Sequence, residues 1–191
     1  MRIHFDEKNL LADMVGKANG ITRFELDRSQ SRALKALLSF RKRADSGAYG
    51  FPELPSAAAV IQSIRKFAGR VKGSFDTVCV VGIGGSALGA WAFDCGIRGP
   101  HPVQGAFTPA HPRLVILDNV DPDFTEAALA SMNPRKTLAV VVAKSGSTAE
   151  TVATFMIVRD WLTQALKGKA AGRIAAVTSA DRGDLLELAK G

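Results

Sequence analysis

Two loops combine glycine with hydroxyl side chains, and each directly follows an apolar run. The first follows Val81 and consists of Gly82-Ile83-Gly84-Gly85-Ser86-Ala87-Leu88-Gly89. The second follows Val142 and consists of Ala143-Lys144-Ser145-Gly146-Ser147-Thr148-Ala149-Glu150-Thr151. Glycine permits positive φ and lets an anion approach the backbone closely. Hydroxyls, backbone amides and a helix N-terminus together suit a phosphate monoester, so the predicted chemistry is phosphate binding.

The first loop also fits a nucleotide-binding pattern in part. Gly82, Gly84 and Ala87 match the dinucleotide fingerprint G-x-G-x-x-G/A, with Asp118 as a ribose ligand. Asp118, however, lies 36 positions after Gly82, whereas that fingerprint places its acidic residue about 20 positions further on. The Walker pattern is excluded, because Ala90 follows Gly89 where a lysine is required.

Local capping is an alternative explanation for part of the second loop. Ser147 and Glu150 fit a capping box in which Ser147 is the N-cap and Glu150 reaches back to it. That pattern does not account for the hydroxyls of Ser145 and Thr148 or for the preceding lysine. In the first loop, Ser86 either caps the following helix or donates its hydroxyl to a ligand.

The elements that must position these loops follow from hydropathy. Four continuous apolar runs predict parallel strands buried on both faces, at 77–81, 114–117, 138–142 and 174–177. Helical patterns lie between them at 87–95, 122–132 and 148–166, the second with Asp121 as N-cap and Pro122 at its first position. The inward stripe predicted for the third consists of Val152, Phe155, Met156, Leu162 and Leu166. Alternation of strand and helix predicts an α/β fold, a doubly wound parallel sheet with its ligand at the carboxyl ends of the strands.

An all-helical segment is predicted to precede this sheet, which divides the chain into residues 1–72 and 73–191. The segment has helical spacing at 21–43 and 56–70, separated by a glycine- and proline-rich loop at 46–55. It contains 14 Lys and Arg against 7 Asp and Glu, whereas the remainder has 11 of each. A basic segment favours either an anionic partner or a solvated helical face.

Composition excludes several classes of protein. The chain has 191 residues, 47% hydrophobic and 23% charged, with no apolar run of membrane-spanning length and no apolar signal-peptide core. We therefore expect a cytoplasmic protein with no membrane partner. Cys79 and Cys95 indicate neither a disulfide framework nor a metal cluster, and Cys79 is expected to pack as a small hydrophobe. His101 and His111 each precede a proline and are expected to be solvated.

The two loops resemble, in the same order, the G-I-G-G-S-x-L-G and K-S-G-[ST]-T-x-E-T segments of the glucose-6-phosphate isomerase family. The resemblance implies a sugar isomerase domain, no metal or organic cofactor, and glucose 6-phosphate or fructose 6-phosphate as ligand. It also implies a role in glycolysis and gluconeogenesis and a homodimer when the protein is intact. By the same likeness the phosphate end of the substrate is lined by Gly85, Ser86, Lys144, Ser145, Gly146, Ser147, Thr148 and Ala149.

Members of that family carry a second domain that supplies most of the chemistry. It contributes an arginine in a G-G-R-[FY]-S segment, a glutamate base, a histidine for ring opening and a late lysine. None of these segments occurs in the 191 residues, and His4, His101 and His111 match no family motif. The expectation is a sugar-phosphate-binding fragment that ends before the second sugar isomerase domain, with no catalytic residue in this chain.

A sugar-phosphate-sensing transcription regulator is the alternative. The basic N-terminal segment favours it. Against it, residues 1–72 show no compact three-helix pattern with a recognition helix, because the loop at 46–55 interrupts them. We therefore expect no specific nucleic-acid partner.

The first prediction is that the 191-residue chain does not interconvert glucose 6-phosphate and fructose 6-phosphate. Moving a proton between C2 and C1 requires a positioned base, and the family's base is absent from the sequence. A coupled assay with fructose 6-phosphate measures this. Turnover that co-purifies with the chain through successive columns would contradict the prediction.

Overall fold

A four-stranded sheet lies at the centre of the second half of the chain. The structure is a computed structural model that describes residues 4–99 and 111–190. All pairings are parallel and the strand order is β2-β1-β3-β4. The predicted strands are confirmed, with bounds β1 Thr77–Val81, β2 Arg113–Leu117, β3 Thr137–Val142 and β4 Ile174–Val177.

Helices cover the two faces of this sheet unequally. Their bounds are α4 Gly85–Arg98, α5 Pro122–Ala130, α6 Ala149–Leu166 and α7 Asp184–Lys190, numbered from α4 because three α-helices of the described chain precede β1. Alternate strand residues point to opposite faces. Cys79, Val81 and Val141 share one buried cluster with side chains of α5, α6 and α7. Val80 and Ile116 share a smaller cluster with Ala87 of α4.

Cys79 has the structural role expected for it. Its side chain is fully buried in the larger cluster. Burial raises the pKa of the Cys79 thiol to about 12, because the thiolate would lose its hydration there. A thiol that stays protonated is a poor nucleophile and a poor metal ligand, so Cys79 acts as a core residue.

The inward face of α6 matches the predicted stripe only in part, because Val152 and Leu166 are half-buried. Phe155 and Leu162 are buried as expected, but Met156 is 48% exposed. Thr151, Thr154 and Val158 complete the buried face. The periodicity of 3.6 places Phe155, Val158 and Leu162 on one side. Met156, adjacent to Phe155, is rotated about 100° away from that side.

Helices also dominate the region before the sheet, as predicted. Their bounds are α1 Ala12–Val15, α2 Arg23–Asp45 and α3 Ala58–Val71. A capping box begins α2, in which Thr22 Oγ1 accepts from Glu25 N–H and the Glu25 carboxylate accepts from Thr22 N–H at 2.8 Å. Contacts divide the chain into two compact units, Met1–Arg65 and Lys66–Gly191. The boundary of 72/73 from the sequence remains a prediction.

The glycine- and proline-rich stretch at 46–55 is not wholly irregular. Its second half forms a 3₁₀ helix, Phe51–Ser56. A short 3₁₀ turn accommodates proline, because the fixed φ of proline suits it and few internal hydrogen bonds are lost. The ring of Tyr49 stacks on Phe40 of α2 with centroids 5.3 Å apart, and the Arg43 guanidinium lies over the Tyr49 ring. These contacts order the stretch against the end of α2.

None of the helices in residues 4–99 and 111–190 combines the length and hydropathy needed to cross a membrane.

Exposed apolar side chains occur on α4, where Phe93 and Ile97 are 75% and 78% exposed. These two residues lie four positions apart, so their side chains are neighbours on one side of the helix.

The second prediction concerns the corrected face of α6. Leu162→Ala should lower the free energy of unfolding by about 2–5 kcal/mol, because it removes a fully buried side chain and leaves a cavity. Met156→Ala, on the same helix but about half exposed, should cost less than about 1 kcal/mol. Urea unfolding monitored by circular dichroism measures both. Equal losses in the free energy of unfolding would indicate that Met156 is buried as deeply as Leu162, as the sequence predicts.

Candidate functional site

The two glycine- and hydroxyl-rich loops lie side by side in the structure. Their strands, β1 and β3, are neighbours in register, with Val81 opposite Val141. From β1 the chain continues through α4 to β2, which lies next to β1 on the side away from β3. From β3 it continues through α6 to β4, which lies next to β3 on the side away from β1. The strand order therefore reverses between these two strands. In open parallel sheets, ligands bind at this position, outside the carboxyl ends of the strands.

Gly82 brings the two loops into backbone contact. A Cβ atom placed on Gly82 would lie 2.9 Å from the carbonyl oxygen of Val142 and 2.9 Å from Cβ of Ser86. Real Cβ atoms do not approach other atoms so closely, so only glycine fits between the end of β3 and the first turn of α4. The Gly82 amide also donates to the Leu117 carbonyl at 3.2 Å, which ties the loop to the end of β2.

The first loop turns sharply into α4 at Gly84. Its φ of 56° and ψ of −122° belong to a region that side chains with a Cβ rarely enter. Gly84 is the N-cap of α4, and Ser86 makes no side-chain capping bond among the described residues. The half-buried Ser86 is therefore not the cap that the sequence allowed. Its role as a ligand donor remains a prediction.

The second loop reaches α6 by a different route from the predicted capping box. Thr148, not Ser147, is the N-cap of α6, and within the described chain its side chain makes no capping hydrogen bond. The prediction that Ser147 caps this helix with Glu150 is wrong. Gly146 adopts a φ of 73°, and the Ser147 amide donates to Ser145 Oγ at 3.4 Å. The turn at Gly146 thus delays the helix by one residue.

The first turn of α6 therefore offers amides to a ligand. Val152 N–H donates to the Thr148 carbonyl and is the first donor of the helical pattern. The preceding amides, of Ala149, Glu150 and Thr151, have no intrahelical acceptor by helix geometry. Together with the helix dipole they favour an anion at this end.

The eight residues assigned from the sequence fall into two neighbouring groups. Gly85 and Ser86 are in the first turn of α4, and Lys144 to Ala149 form the loop and first residue of α6. Gly146 is buried, Ser86 and Thr148 are half-buried, and the other residues of the set are exposed: Gly85, Lys144, Ser145, Ser147 and Ala149. His4 and His111 are exposed and take no part in this site. His101 lies outside the described residues.

A narrow surface cleft lies beside these residues. Its lining consists of Gly82, Ile83, Leu117, Asp118, Asn119, Glu150, Thr151 and Thr154. The eight assigned residues, all within the described ranges, do not line it. Asp118 and Asn119 follow β2 as Gly82 follows β1, so the carboxyl-edge rule applied to β2 would have indicated them. In the sequence, Asp118 fits only the ribose-ligand position of the dinucleotide fingerprint.

A third segment, after β4, supports the second loop and was missed by sequence reasoning. Ser179 Oγ donates to the Lys144 carbonyl at 2.6 Å. Leu185 N–H donates to the Gly146 carbonyl at 3.2 Å. Gly183, with φ of 109°, packs against Ser145 and Gly146. The indication available in the sequence was the polar stretch that directly follows the fourth predicted strand.

Comparison with known proteins gives this arrangement a family. The sequence profile of the family Phosphoglucose isomerase matches residues 32–185, which include both loops and all four strands. The chain belongs to the phosphoglucose isomerase family. This member is 30% identical over 173 residues to a glucose-6-phosphate isomerase of Carboxydothermus hydrogenoformans. It is 36% identical over 122 residues to one of Thermus thermophilus.

Solved structures agree with the family at the level of the fold. A hypothetical protein from Thermus thermophilus superposes with a TM-score of 0.73 at 28% identity, covering 87% of this chain and 38% of that one. A glucose-6-phosphate isomerase from Chlamydia trachomatis has a TM-score of 0.52 at 32% identity, covering 61% and 21%. The match to the Carboxydothermus hydrogenoformans protein covers 87% of this chain and 36% of that protein. The match to the Thermus thermophilus isomerase covers 63% of this chain and 27% of that protein. This phosphoglucose isomerase family member thus spans about a third of their length.

The third prediction tests the start of α6 in this family member. Ser147→Ala should change the free energy of unfolding by less than about 0.5 kcal/mol, because Ser147 does not cap the helix. Asp121→Ala is the control: Asp121 Oδ1 accepts from Phe124 N–H at 2.7 Å and caps α5, so its loss should cost about 1 kcal/mol. Thermal melts compare the two variants. A similar loss of stability in both variants would support a capping box formed by Ser147 and Glu150.

Proposed function

We propose that this chain binds the phosphate group of glucose 6-phosphate or fructose 6-phosphate, as the phosphate-anchoring part of a glucose-6-phosphate isomerase. The observation that carries the proposal is the contact of the two loops at Gly82 and Val142. It places the loop that leads into α4 against the end of β3, which leads into the loop before α6. Glycines, hydroxyls and the N-termini of two helices thus follow neighbouring strands at the carboxyl edge of the sheet, and these groups suit a compact dianion.

Charges in the adjacent cleft favour one side for the phosphate. Asp118 and Glu150 both line the cleft beside Gly82, and their carboxylates repel an anion. The loop between β3 and α6 carries Lys144 and the hydroxyls of Ser145, Ser147 and Thr148. We therefore place the phosphate against this loop, outside the cleft.

The phosphate is a handle that does not react. Its binding energy fixes the position of the sugar carbons relative to groups that move protons. In an isomerisation between aldose and ketose, a base transfers a proton between C2 and C1. We assign this chain the anchoring step only, and the named relatives support sugar phosphate as the ligand class.

The regulator alternative has less support. The match to the phosphoglucose isomerase family begins at residue 32, within α2, and includes α3. Most of the basic helical segment therefore belongs to this family's own architecture. A solvated helical face is then the simpler account of the charge excess, and α2 does have its charged residues exposed.

The fourth prediction tests the anchoring role. Replacing Ser145 and Thr148 together by Ala should weaken binding of 6-phosphogluconate by about 10–100-fold or more, because each lost hydrogen bond contributes about 1 kcal/mol if neutral and about 1.5–3 kcal/mol if its acceptor is charged. Stability should change little, since neither side chain makes a helix-capping bond within the described chain. Calorimetric titration and thermal melts measure the two effects.

Ser46 and Thr163 provide a matched control for this double variant. They are one serine and one threonine, both exposed, and their hydroxyls donate to the helical carbonyls of Arg43 and Arg159. The Ser46→Ala/Thr163→Ala variant should bind 6-phosphogluconate like the wild type. If the Ser145/Thr148 double variant also binds like the wild type, the anchoring proposal is wrong.

A further inference from the structure

We propose that Ser179 and Gly183, in the segment after β4, are positioning residues that orient the amides of the phosphate loop. The phosphate loop is defined here as residues 144–148. The inference rests on the proposed function, because it assigns those amides to the phosphate. Neither residue need touch the ligand, since both act through the backbone of the phosphate loop.

Two hydrogen bonds fix two peptide planes of the phosphate loop. Ser179 Oγ donates to the Lys144 carbonyl at 2.6 Å, across 35 residues of sequence. Leu185 N–H donates to the Gly146 carbonyl at 3.2 Å. Ser179 lies between β4 and α7, and Leu185 lies in the first turn of α7, so the part of the chain that follows β4 holds two carbonyls of the loop.

Fixing a carbonyl also fixes the amide that follows it. In a planar trans peptide the C=O and the next N–H point in opposite directions. With the Lys144 and Gly146 carbonyls directed toward the segment after β4, the N–H groups of Ser145 and Ser147 are directed away from it. The Gly146 amide donates to the Ala143 carbonyl at 3.2 Å, and the Ser147 amide makes a longer hydrogen bond of 3.4 Å to Ser145 Oγ. Backbone amides that face one side of a turn can form an anion-binding concavity.

Gly183 allows the close approach that these bonds require. A Cβ atom on Gly183 would collide with the Ser145 carbonyl oxygen and would lie 3.3 Å from Cα of Gly146. Its φ of 109° is also disfavoured for any residue with a Cβ. Reciprocally, a Cβ on Gly146 would lie 3.2 Å from Leu185 N. Two glycines in contact therefore set the distance between the segment and the phosphate loop.

The main test compares two glycine variants of the 191-residue chain. Gly183→Ala introduces both backbone strain and the collision with the phosphate loop. Gly73→Ala introduces strain alone, because Gly73 has a φ of 76° and nothing within 4 Å of its Cβ position. We expect Gly183→Ala to weaken binding of 6-phosphogluconate by at least about tenfold, by loss of preorganisation. Gly73→Ala should bind within about twofold of the wild type, although both variants lose stability.

A second pair of variants serves if Gly183→Ala does not fold. Ser179→Ala removes one neutral hydrogen bond and should weaken binding by about fivefold, the equivalent of about 1 kcal/mol. Ser179→Thr retains the hydroxyl and should restore the affinity. Amide chemical shifts of Ser145 and Ser147 in the unliganded chain should move in Ser179→Ala and return in Ser179→Thr.

The outcomes separate this inference from the function on which it rests. A wild-type chain that does not bind 6-phosphogluconate overturns the proposed function, and this inference with it. A wild-type chain that binds, with Gly183→Ala and Ser179→Ala binding as tightly as Gly73→Ala, overturns only this inference. Weaker binding with unmoved Ser145 and Ser147 amide shifts also overturns it, because the effect would then not pass through the phosphate loop.

Discussion

The parallel register of β1 and β3 is the constraint on which the rest of the site depends. Because Val81 pairs with Val141, both strands end at the same level and both following loops emerge together. Gly82 then has no room for a side chain between the Val142 carbonyl and Ser86. A shift of register would displace Gly82 from the Val142 carbonyl and so separate the loop before α4 from the end of β3.

The core that holds this register is asymmetric. The larger cluster joins β1, β2 and β3 to α5, α6 and α7, and it contains the most deeply buried large side chains, such as Leu117 and Leu162. The smaller cluster under α4 rests on Val80, Ala87 and Ile116. One face of the sheet therefore supplies most of the apolar burial, which is the main favourable term in folding. In the helix that carries Ser86, Ala87 of the first turn is buried, and Arg98 of the last turn donates to the Pro112 carbonyl at 3.0 Å.

The phosphate loop combines exposure with a fixed backbone. Ser145 and Ser147 are accessible to a ligand, while the carbonyls of Lys144 and Gly146 are held from behind by Ser179 and Leu185. Loops that bind ligands are usually mobile unless a scaffold positions them. Here β4 supplies that scaffold, because Ala143 N–H also donates to the Val177 carbonyl at 3.0 Å.

The sequence by itself determined the strands, their order along the chain and the two loops, because continuous apolar runs and glycine–hydroxyl clusters are local patterns. It also determined the cap at Asp121, which depends on neighbouring residues alone. It did not determine where α6 begins or which residues support the phosphate loop. The N-cap moved from Ser147 to Thr148 because Gly146 takes a positive φ in contact with Gly183. That contact joins residues distant in sequence, so only the tertiary structure decided it.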